Sequence, residues 1–223
     1  MSYDSYPSRS HSRGGKKKKH VLVRAVIATA LVIQGGIALC YYLAHRSAPG
    51  ARVPLPGWVE QDLLPINPNS RPGKALQQVN GIVIHYVGNP GTSAQANRNY
   101  FANLSITRET YASAHYVVGL EGEIVQCVPL SEISYCSNDR NSDTIAIEVC
   151  HPDEEGQFNP ATYDSVVKLT AWLCQQFKLE SSAVIRHYDI TGKICPKYYV
   201  EHEDAWQTFL QDVDTAMQTV IPE

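Results

Sequence analysis

Between residues 81 and 220, short β-branched apolar runs alternate with stretches of helical period, and this alternation sets the narrowest bounds on the fold. The run Gly81-Ile82-Val83-Ile84-His85-Tyr86, closed by Gly88-Asn89-Pro90-Gly91, reads as a strand followed by a turn. Residues 93–103 form a plausible helix with Ser93 as its cap. The runs 115–119 and 123–128, joined by Glu121-Gly122, read as a hairpin. Residues 144–150 are a further strand. In 163–177, Val166, Leu169, Thr170, Leu173 and Phe177 recur at helical spacing. A short strand at 184–186 and a final amphipathic helix at about 200–220 complete the pattern. The expected fold class is α/β: a single domain with a central mixed β-sheet flanked by helices, its strand order left open by the chain order.

The first part of the chain is different in kind. Residues 1–24 carry seven Lys/Arg against Asp4, a net of +6, whereas residues 46–223 carry twelve against twenty-one Asp/Glu, a net of −9. An acidic body is a poor partner for a phosphate backbone, so no nucleic acid is expected. Residues 25–44 contain no charge, and a helix of that length spans about 30 Å, the thickness of a bilayer core. Tyr42 and Arg46 occupy positions where signal-peptide cleavage requires small residues, and Leu39 breaks a lipoprotein pattern at Cys40. The organisation expected is a disordered basic cytoplasmic tail (1–20), a transmembrane signal-anchor helix (21–45), a Pro/Gly-rich linker (46–70) and a folded domain (71–223). The positive excess before the span puts the N-terminus in the cytoplasm and the domain outside.

Three residues could carry chemistry together: His85 at a strand end, His187 after another strand, and Cys195 eight residues later. Two neutral imidazoles and a thiolate are the ligand set of a catalytic zinc, with the fourth position left for water. Taken singly, a histidine is more often a hydrogen-bonded structural residue and a cysteine more often buried packing.

Four blocks carry a family resemblance: Gly81 to Tyr86, Ser113-Ala114-His115-Tyr116, Ile145-Ala146-Ile147-Glu148, and Arg186-His187-Tyr188-Asp189-Ile190-Thr191-Gly192-Lys193-Ile194-Cys195-Pro196. In this order they resemble the zinc-dependent N-acetylmuramoyl-L-alanine amidases, which are related to phage lysozyme-type amidases and peptidoglycan-recognition proteins. The resemblance runs from about residue 71 to about residue 213. It implies that His85, His187 and Cys195 bind Zn2+, that Glu148 is the catalytic carboxylate, and that Lys193 stabilises the oxyanion. Some relatives carry a catalytic tyrosine where this chain has Ala114, which implies the branch relying on glutamate. Tyr86, His115 and His151 are candidate substrate contacts, with His115 either structural or lining the site.

The implied function is peptidoglycan hydrolysis, cutting between N-acetylmuramic acid and the L-alanine of the stem peptide. Its partners would be peptidoglycan or muropeptides, and a membrane reached through one N-terminal helix. The implied location is a bacterial cell membrane, single-pass, with the catalytic domain outside the cytoplasm. Two alternatives stand beside it. One is a non-catalytic muropeptide-binding module of the same fold. The other is a cysteine hydrolase using Cys195 with His187, indifferent to chelators and sensitive to alkylation. Cys127, Cys136, Cys150 and Cys174 allow three disulfide pairings or none, and nothing in the sequence requires one.

Overall fold

Two central strands, β2 (Gly81–Tyr86) and β5 (Thr144–Val149), are buried along almost their whole length, as their continuous apolar runs require. The computed structural model describes Met1, residues 33–36 and residues 48–219. Residues 48–219 belong to one folded unit. Its six strands are β1 (Glu60–Gln61), β2, β3 (Tyr116–Val118), β4 (Ile124–Gln126), β5 and β6 (Val184–Arg186), in the order β1-β4-β3-β5-β2-β6. The β3–β4 hairpin is the one antiparallel pair among these strands, so the sheet is mixed, as expected.

The two faces of the sheet are built from different residues. One carries Ile82, Ile84, Ile145 and Ile147 against α2 (Pro160–Phe177) and α5 (Glu203–Met217), which contribute Leu169, Trp172, Leu173, Phe209 and Val213. The other carries Val117, Val125 and Ala146 against α1 (Ala94–Thr107), with Ala94, Ala114, Cys127 and Cys150 filling the layer. Burying each large side chain of the first layer contributes roughly 1.5–3 kcal/mol, so that side holds the sheet. The second layer is the thin one because it holds few large side chains, Leu64 and Phe101 chief among them, and a cavity opens on that side.

Side-chain caps fix α1 and α2, two of the three long helices. Ser93 accepts from the Ala96 N–H, and Asn159 accepts from the Thr162 N–H with Pro160 at the first helical position. The hairpin turn presses on α2: a Cβ on Gly122, at φ +82°, would lie 2.8 Å from Ser165 Oγ and 2.9 Å from the Ala161 carbonyl. The expected final helix is interrupted at His202, so a short α4 (Lys197–Glu201) precedes α5. Within the stretch read as a linker, Glu60–Gln61 pairs with β4, while Val59 and Leu64 are buried. All five cysteines among the described residues are free.

The expected span at 21–45 lies outside the described residues except for 33–36, and the basic tail lies outside them except for Met1. Among the described residues no helix is long and apolar enough to cross a membrane. This corrects the single-pass placement in a bacterial cell membrane. A charge-free run is compatible with a span but does not by itself establish one.

Candidate metal centre and active site

His85 and Glu148 are register partners on adjacent parallel strands, so their side chains leave the sheet on the same face. That face is the thin one. His187 begins α3 (His187–Thr191), a five-residue helix entered directly from β6. Arg186 pins this entry: its guanidinium pairs with Asp189 at 2.9 Å and Glu203 at 2.7 Å and donates to the Tyr199 carbonyl. Gly192, at φ +76°, ends the helix and turns the chain back. The Tyr188 N–H then donates to the Cys195 carbonyl at 2.9 Å, closing the loop and returning Cys195 to the side of His187.

The ligand atoms of His85, His187 and Cys195 all lie within 4.8 Å of one another. Cys195 Sγ is 3.8 Å from His85 Nδ1, and the two imidazole centroids are 4.7 Å apart. Burial, with further contributions from His187 and Lys193, lowers the His85 pKa well below the ordinary histidine value. Burial and Lys193 also lower that of His187. Both rings are therefore neutral, the form that binds a metal. His187 Nδ1 is buried without a hydrogen-bond partner. Two imidazole nitrogens and one thiol sulfur fit a tetrahedral zinc better than an oxygen-seeking cation.

A cavity of about 460 Å³ is lined by these three residues together with Tyr86, Cys136, Glu148 and Lys193. Glu148 is half-buried; one oxygen receives the Cys136 thiol at 3.4 Å and the other, Oε2, has no partner. Burial pushes its carboxyl up to about 7, opposed by the Cys136 bond and by Lys193. A larger groove of about 660 Å³ lies beside α2 and α5, but it contains none of these donors and is not the chemical site.

The candidate substrate contacts separate. Tyr86 lines the cavity. His151 stacks on Tyr86 with centroids 4.9 Å apart, is buried, and contacts the Asp153 carbonyl through Nδ1 at 2.7 Å. His115 is fully buried away from the cavity lining: Nδ1 accepts from the Ala146 N–H at 3.0 Å, and Nε2 donates to the Glu132 carbonyl at 2.9 Å. Ser134 Oγ is a further neighbour of Nδ1. Sequence reasoning passed over Ser137 and Asn138, which contact His85 Nε2 and His187 Nε2. No local pattern marks them.

His115 has a measurable consequence. Burial pulls its pKa down to about 4, against the opposing bond to the Glu132 backbone. The unfolded chain takes up that proton near pH 6.5, before the folded one does, so stability falls as pH drops from about 6.5 to about 4. The loss reaches about 3 kcal/mol and then levels off. His115→Gln should flatten this part of the pH dependence in urea unfolding. An unchanged slope would show that His115 is not its source.

The chain is similar to known amidases. The family model for N-acetylmuramoyl-L-alanine amidase matches residues 75–198. The N-acetylmuramoyl-L-alanine amidase CwlL of Bacillus licheniformis is 32% identical over 172 residues, covering 71% of this chain and 47% of the relative. The amidase BlyA of Bacillus subtilis is 32% identical over 175 residues, covering 69% and 46%. The chain thus spans about half the length of these curated relatives. The solved catalytic domain of XlyA, a Bacillus subtilis amidase, superposes with a TM-score of 0.59 at 28% identity, covering 70% of this chain and 98% of that domain.

Proposed function

Because the chain belongs to the N-acetylmuramoyl-L-alanine amidase family, we propose that it is a peptidoglycan hydrolase using zinc to cleave the amide between N-acetylmuramic acid and the L-alanine of the stem peptide. One observation carries the reading: two neutral imidazoles, a thiol and a half-buried carboxylate converge on one cavity. The same reading gives catalysis to the domain at 71–223.

His85, His187 and Cys195 would hold the metal. Zinc held by such a set acidifies water and polarises an amide carbonyl. Glu148 takes the proton of the attacking water and delivers it to the departing amine, a task suited to a carboxyl whose pKa lies near 7. Lys193 brings a positive charge to the same cavity, where it offsets the charge that develops on the carbonyl oxygen. Tyr86 is the candidate side chain for substrate contact at the cavity wall.

The test is mass spectrometry of purified peptidoglycan after digestion, with and without a chelator. Free stem peptides beginning at L-alanine are expected, lost on chelation and regained with zinc. Bound zinc with no cleavage would replace this reading by the muropeptide-binding module.

A further inference from the structure

Three consecutive residues ahead of β5 touch three different members of the site. Cys136 Sγ lies 3.4 Å from Glu148 Oε1, Ser137 Oγ lies 3.4 Å from His85 Nε2, and Asn138 Oδ1 lies 2.8 Å from His187 Nε2. We propose that Cys136-Ser137-Asn138 is a positioning clamp that selects which nitrogen of each imidazole faces the metal and fixes the resting place of the Glu148 carboxylate. The inference rests on the zinc reading given above.

A neutral imidazole has one N–H and one lone pair. The Asn138 carbonyl oxygen can only accept, so it keeps the His187 proton on Nε2 and leaves Nδ1 free to ligate. Nδ1 is the buried atom without a partner. His85 reaches the same state from its other side: the Cys195 thiol, 3.8 Å from Nδ1, can donate to it, which leaves the proton on Nε2, where Ser137 Oγ can accept as well as donate. In each ring Nδ1 is therefore the nitrogen kept for the metal. Cys136 occupies one oxygen of Glu148 and leaves Oε2 as the unpartnered one.

The clamp is itself held. Asn141 Oδ1 accepts from the N–H groups of Cys136 and Ser137 at 3.0 and 2.6 Å. Arg140 pairs with Asp143 at 2.8 Å, and its carbonyl accepts from Thr144 Oγ1 at 2.7 Å. Thr144 is the first residue of β5, so the clamp and Glu148 lie on one short continuous stretch of chain, residues 136–148. Asn138 sits at φ 51°, in the left-handed region that asparagine tolerates better than most residues.

The test uses the full chain and two variants at position 138. Asn138→Gly keeps the backbone conformation and removes the acceptor; Asn138→Asp keeps both. Long-range 1H–15N NMR of the zinc-free protein reads the His187 tautomer, and competition with a chromophoric chelator reads zinc affinity. The Nε2–H tautomer is expected in wild type and Asn138→Asp but not in Asn138→Gly, whose zinc affinity should fall about 10–100-fold. Cys136→Ala should keep zinc affinity but lower kcat about tenfold, with partial recovery in Cys136→Ser. An Nδ1–H tautomer in wild type, or Asn138→Gly binding zinc within about twofold of wild type, would overturn the clamp. Wild-type protein that binds no zinc would sink the zinc reading instead, and the tautomer would still decide the role of Asn138.

Discussion

Replacing Glu148 by glutamine is expected to lower turnover of peptidoglycan by roughly 10²–10⁴-fold while zinc content stays unchanged. The side chain keeps its size and its place opposite His85 in the sheet register. It loses the ability to take a proton. Because burial raises the carboxyl toward 7, the wild-type rate should fall as pH drops and Glu148 becomes protonated. A bound dication would draw that midpoint downward, so the acid limb should lie at or below about 7 with zinc present. Residual activity of Glu148→Gln should lack that limb. Turnover near the wild-type level, with zinc retained, would remove Glu148 from the mechanism and leave water activation to the metal alone.

Much of this site was legible before any coordinates, for reasons that differ by residue. His85 ends an apolar run that could only be a buried strand, and the 186–196 segment holds its histidine, glycine, lysine and cysteine in one local loop. Short-range pattern was enough there. Cys136, Ser137 and Asn138 were illegible because their partners lie 12, 52 and 49 residues away, and only the sheet register brings them together. Strand β1 was missed for a similar reason: two exposed residues between prolines carry no alternation, and pairing with β4 alone makes them a strand. The charge-free run at 25–44 reads as a membrane span; it lies outside the described residues except for 33–36, and no described helix is long and apolar enough to cross a membrane. His115 stood on the same motif block as the site, yet its hydrogen bonds turn it into the joint between β5 and the loop around Glu132.

Cys195→Ser should weaken zinc binding by about two orders of magnitude, since roughly 10–16 kcal/mol shared over four ligands assigns about 3 kcal/mol to each. Serine keeps the shape of the loop, whose closure depends on the Cys195 carbonyl and not on its sulfur. Zinc content after dialysis should fall, and excess zinc should restore part of the activity. Glu148→Gln, by contrast, should gain nothing from added zinc. Alkylation judges the cysteine-hydrolase alternative. Burial and the charge of Glu148 push the Cys195 thiol up to about 12, and the residue is 2% exposed. A thiol in that state is a poor nucleophile at neutral pH, and only a cation beside it would make it a thiolate. Iodoacetamide should therefore leave the zinc-loaded enzyme active while chelation silences it. Rapid loss of activity on alkylation, with zinc still bound and no effect of chelation, would return Cys195 to the role of nucleophile.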